Sequence, residues 1–130
     1  MVEDALVNAD VQAGQILVGL LDDEGMRPKA ALWVYSNDHD RWRLWILPGI
    51  NKEGDNPREI YSRIARVISK NRAKLQGIDI GDIEVLGPGN RAIAALSKLF
   101  HIEGISNVRL SSNRLNDIFL PDAIILRMAS

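Results

Sequence analysis

Four cations, Arg63, Arg66, Lys70 and Lys74, follow one another at intervals of three, four and four residues. On a helix those intervals gather them along one face. A row of cations on a helix is one way for a protein to track a phosphate backbone, so these four are the candidate nucleic-acid-binding residues. Arg58 and Arg72 flank the row. Two plainer readings compete with it. One is a solvated face whose cations favour the negative end of the helix dipole. The other is contact with an acidic helix, within the chain or across a dimer.

A second constellation is aromatic. Trp33, Tyr35, Trp42 and Trp45 are four of the seven aromatic residues, with Arg41 and Arg43 interleaved. Rings on a sheet beside cations can stack bases, and rings of this kind also fill cores and subunit interfaces. Register decides between these uses. If Tyr35 pairs with Trp42, Trp33 faces Leu44 and Trp45 lies on the opposite side; if Tyr35 pairs with Arg43, Trp33 meets Trp45.

The remaining polar groups assemble into no reaction. Gly87-Pro88-Gly89-Asn90 resembles a phosphate-binding turn, but no lysine followed by Ser or Thr comes after it, so a tight turn into a helix is the expectation. His39 stands between Asp38 and Asp40 in a turn, where neighbours rarely converge on one metal. His101 is read as structural. Asp79, Asp82 and Glu84 form a small acidic group without the Glu-x-Lys or Asp-x-Lys step that a metal-dependent nuclease would want. No serine occupies a nucleophile elbow. No catalytic residue, no metal site and no cofactor is therefore assigned.

These residues have to be held by a framework that composition already constrains. The chain of 130 residues is 46% hydrophobic and 25% charged, which fits one folded domain over residues 1–130 and excludes a disordered or collagen-like chain. It has no cysteine, which removes disulfides, thiolate metal sites and a cysteine nucleophile. The formal charge of −1 conceals segregation: residues 1–26 carry six acids and no base, and residues 27–75 carry eleven bases and five acids.

The hydrophobic periodicity predicts a helix over residues 4–23, with Leu6, Ala9, Ala13, Ile16, Leu17, Leu20 and Leu21 on its apolar face and Gly25 as its stop. Gly14 and Gly19 inside it predict close approach of another backbone. A hairpin follows, over 29–36 and 41–48. Asn56, Pro57 and Glu59 then start a second helix that should end near Lys74 to Gly77. A strand over 82–86 leads to a third helix, with Ile93, Leu96, Leu99 and Phe100 as its apolar face. Strands over 107–112 and 117–128 complete the order, the latter breakable at Pro121-Asp122. The sum is an α+β fold in the order α-β-β-α-β-α-β-β, a mainly antiparallel sheet with helices packed against it.

The stretches Asp10-Val11-Gln12-Ala13-Gly14, Ala30-Ala31-Leu32-Trp33-Val34-Tyr35 and Trp42-Arg43-Leu44 resemble small bacterial proteins of unassigned function. The resemblance implies a bacterial, cytosolic setting and carries no activity and no functional residue. An acidic start and short apolar stretches agree with a cytoplasmic location away from membranes. The expectation is a non-enzymatic protein acting through protein–protein contact as a homodimer. Trp33, Tyr35, Trp42 and Trp45 are then its candidate interface. The alternative is a nucleic-acid-binding module using the basic face of residues 58–74, and an enzyme with an unrecognised site comes third.

Overall fold

Asn56 starts the second helix as its sequence dictates. Its side chain accepts a hydrogen bond from the Glu59 amide at 2.9 Å, and Pro57 fills the first turn, where its missing N–H leaves nothing unsatisfied. In the computed structural model, which describes residues 8–36, 40–49, 56–87, 89–110, 113–115, 118–120 and 122–129, this helix is α2, Pro57–Lys70. Around it stand α1 (Asn8–Asp23), β1 (Ala30–Ser36), β2 (Arg41–Leu47), β3 (Ile83–Val85), α3 (Arg91–Ser97), β4 (Val108–Leu110), β5 (Asn113–Leu115), β6 (Ile118–Leu120) and β7 (Ala123–Met128).

Five strands form a mixed, mostly antiparallel sheet in the order β3-β2-β1-β7-β4, and β5 pairs with β6 separately. The fold is α+β. Only β2 and β3 run parallel, joined through α2, as a crossover connection requires. In the hairpin Tyr35 pairs with Trp42 and Trp33 with Leu44, the register that places Trp45 on the opposite side of the sheet.

Both faces of β1 are covered, which is why it reads as a continuous apolar run. Ala31 and Trp33 join the core beneath α1 and α2 with Leu17, Leu21, Leu44, Ile46, Ile64 and Ile124. Ala30, Leu32 and Val34 join the core beneath α3 with Ile93, Leu96, Ile125 and Met128. At Gly14 a side chain of β1 presses on α1. A Cβ there would stand 2.6 Å from Trp33 Nε1 and 3.0 Å from Leu126 Cδ1, so the close approach is made by a side chain of β1.

The pairing of β1 with β7 slips between Ala31 and Leu32. Arg127 lies opposite Ala31 and Ile125 opposite Leu32, which leaves Leu126 as the extra residue of a β-bulge. Two consecutive side chains, Leu126 and Arg127, therefore both turn towards the helices. Leu126 packs on α1, and Arg127 reaches Asp22 in its last turn through two 2.8 Å hydrogen bonds while also donating to the Pro28 carbonyl. At 9% exposure Arg127 is the only buried charged residue among those described.

Several boundaries differ from the sequence expectation. Within α1, Ile16 is 41% exposed and Ala9 is exposed, while Val11 and Val18 are buried. The buried stripe is thus rotated relative to the one drawn through Ile16. The third helix stops at Ser97, so Leu99 falls outside it and is 60% exposed. Asn90 explains its start by accepting from the Ile93 amide at 3.0 Å. The last segment divides into β6 and β7, and β5 is a strand beyond those that the sequence predicts. Residues 1–7, and with them Leu6, lie outside the described residues, as do Asp38, His39 and Pro88.

Candidate functional site

Helix α2 buries Ile64, Val67 and Ile68 and turns its polar flanks outward. It ends earlier than its charge pattern implies. At the C-cap, Asn71 leaves helical geometry (φ −125°, ψ 33°) while its side chain donates to the Val67 carbonyl at 2.9 Å, which satisfies one of the last carbonyls locally. Lys74 therefore lies in an irregular turn, and the helical spacing that placed it in line with Lys70 no longer applies. The aligned row is Arg63, Arg66 and Lys70.

These three converge on a hollow of about 30 Å³ between the C-terminal end of α1 and α2. Buried Leu21, Met26 and Val67 floor it, and Glu24, just past the end of α1, stands on its rim with the three cations. The acidic and basic helices predicted from the sequence thus lie side by side. They do not neutralise each other by contact. Among the described residues, none of Arg58, Arg63, Arg66, Lys70, Arg72 and Lys74 takes part in an ion pair, whereas Arg41, Arg43 and Arg127 all do.

The aromatic residues do not form one platform. Trp33 is 2% exposed and belongs to the core under Gly14, with its Nε1 lacking a hydrogen-bond partner. Tyr35 and Trp42 meet edge to face across the hairpin, their ring centroids 5.7 Å apart. Trp45 packs on the opposite core, beneath α3. Arg41 and Arg43 are held at the β2–β3 edge: Arg41 donates to the Gly81 carbonyl at 3.0 Å, and Arg43 donates to that of Ile83 at 3.2 Å.

A larger cleft of about 610 Å³ is lined by residues between Arg72 and Asp82, including Gln76, Gly77 and Asp79. Gly77 has a positive φ of 94°, and Asp10 presses on it so closely that a Cβ would come within 2.7 Å of the carboxylate. Partial burial, with Asp82 adding like charge, pushes the Asp10 carboxyl above its ordinary value. A carboxyl raised on folding stabilises the fold while protonated, and that contribution is lost as pH rises through the folded-state value. Asp10→Asn should therefore melt higher than wild type at neutral pH, with the gap closing in acid. A pair of thermal melts checks this, and a variant no more stable than wild type at neutral pH refutes the assignment.

Glu84 engages Arg43 at 3.6 Å, and His101 faces Glu103 at 3.1 Å in the open. Among the described residues no group of three or more His, Cys, Asp or Glu side chains could hold a metal ion, and no helix is long and apolar enough to cross a membrane. Asp79 and Asp82 are tied to each other through the Asp79 amide, which donates to Asp82 Oδ2 at 3.0 Å. The role of Glu24 beside the cations was not legible in sequence, because it depends on how two helices separated by a hairpin come to pack. Compared with known families, curated proteins and solved structures, the chain matches none.

Proposed function

We propose that the protein binds the sugar–phosphate backbone of nucleic acid through Arg63, Arg66 and Lys70, with Arg58 at the near end of α2 as an outlying contact. The observation that carries this reading is the cluster of cations on one short segment, none of them in an ion pair among the described residues. A solvated lysine or arginine is ordinary. Three lining one groove, in a chain whose formal charge is −1, concentrate positive potential where the whole molecule has none to offer.

Two of the features behind the self-association reading, the helix glycines and the apolar strand, have neighbours inside the chain. Gly14 accommodates Trp33, Gly19 faces Ile105, and both faces of β1 are covered. The cations of the groove have no ion-pair partner among the described residues.

Fluorescence anisotropy with a short labelled DNA duplex across a salt series tests the proposal. Three phosphate contacts predict a log–log slope of about −2.7, which is a loss of about 40-fold between roughly 50 and 200 mM salt. Arg66→Glu with Lys70→Glu should weaken binding at low salt by more than about tenfold and flatten the slope towards about −1. Both side chains are exposed, so the fold survives the change. Absence of binding at low salt, or a double variant that binds like wild type, disposes of the proposal. Equal binding of a polyglutamate of matched charge points instead to an acidic protein partner and overturns it as well.

A further inference from the structure

We infer that the groove between α1 and α2 seats a backbone phosphate without reading any base, and that the Glu24 carboxylate competes with that phosphate for Arg63, Arg66 and Lys70. The inference rests on the nucleic-acid reading above and adds what is recognised and what opposes it. Volume is the first reason. At about 30 Å³ the hollow is a fraction of the 610 Å³ cleft beside Gly77, a dent at which cations on the rim can hold an anion rather than a pocket that encloses a ring.

The second reason is the placement of the aromatics. Recognition of unpaired bases depends on exposed rings beside the cations. Here Trp33 is in the core, Trp45 belongs to the other face of the sheet, and Tyr35 and Trp42 are packed on each other across the hairpin. None of the four lines the groove.

Glu24 supplies the third reason. Its backbone is fixed at the end of α1 by a hydrogen bond from its amide to the Leu20 carbonyl at 3.1 Å, and it lines the same hollow as the three cations without pairing with any of them. A carboxylate at that point lowers the potential that an incoming phosphate meets. In the free protein it shares the rim of the hollow with the cations. Its removal should strengthen binding, because attraction among near-surface charges is worth enough to change an affinity severalfold.

Two probes of equal length, oligothymidine and an oligomer of abasic sites on the same backbone, should bind within about twofold of each other, since the phosphates alone are counted. Glu24→Gln should tighten both by about fivefold at low salt. Glu24 is exposed, so the variant folds as wild type does. An abasic oligomer bound about tenfold more weakly than oligothymidine overturns phosphate-only recognition while leaving the proposed function standing. Affinity unchanged or reduced in Glu24→Gln overturns the competition. Failure of both probes while the duplex binds overturns recognition of a lone backbone phosphate, and failure of all three with wild-type protein is a failure of the proposed function itself.

Discussion

Asp22→Ala is expected to cost about 3 kcal/mol of stability. Arg127 lies in a strand interior to the sheet with its guanidinium drawn in beneath α1, and both oxygens of Asp22 receive its hydrogen bonds at 2.8 Å. Without that carboxylate, a nearly buried cation retains only the Pro28 carbonyl as acceptor. Its Nε already lacks a partner, so nothing nearby can compensate. The pair also holds the guanidinium proton more firmly than usual, chiefly through the hydrogen bond to Asp22 and against the cost of burial. Arg127 stays charged whatever happens to its partner.

The loss should appear as a melting temperature lower by about 10–15 °C. The cost comes from the charge left unpaired, so removing that charge too should recover much of it. Asp22→Ala with Arg127→Met is expected to melt well above the single variant. A double variant no better than the single one would show that the pair matters through packing alone.

Gly49→Ala should be nearly as damaging, for a reason that has nothing to do with charge. A methyl group there would lie 1.9 Å from the Arg27 carbonyl oxygen and 2.8 Å from that of Met26. Neither oxygen can retreat cheaply. The Met26 amide donates to the Leu21 carbonyl at 2.9 Å, Arg27 is held at a positive φ of 45°, and the Lys29 amide donates to Leu47 at 2.8 Å. The exit of α1 and the exit of β2 thus touch backbone to backbone, and the alanine has to force them apart, at a cost of about 3 kcal/mol. Gly81→Ala is the matched control. A Cβ there meets nothing within 4 Å, and its stability in urea should stay within about 0.5 kcal/mol of wild type. Equal stability of the two variants would mean that the contact at Gly49 relaxes freely.

Local chemistry made the framework legible from sequence. Asn56, Pro57 and Glu59 announce a helix start because a cap needs only residues within one turn. The doubly apolar run of β1 announces an interior strand because both its faces must be covered. The end of α2 was misplaced because the cation spacing continues to Lys74 after the backbone has stopped at Asn71. A charge pattern carries no information about where a side chain satisfies its own helix. The rotated stripe of α1 has a similar origin: apolar residues occur nearly all round that helix, so the sequence admits more than one inward face.

The groove itself was half visible. Arg63, Arg66 and Lys70 could be aligned by counting, but Glu24 enters the site only through tertiary packing. The aromatic cluster misled for the opposite reason. Residues close in sequence on a hairpin alternate between faces, and the pairing of Tyr35 with Trp42 sends Trp45 away from the other three.

The position of β7 between β1 and β4 has a consequence for synthesis. Of the strands described, β7 is the last to leave the ribosome, yet it supplies one whole hydrogen-bonding edge of the interior strand β1. A nascent chain that has emerged only as far as β4 can close the β1–β2 hairpin but must hold the opposite edge of β1 bare, with Leu32 and Trp33 beside it. Such an edge is a template for any other unfinished copy on the same message. The bulge at Leu126 makes late arrival exacting, because β7 has to dock in one register for Arg127 to find Asp22.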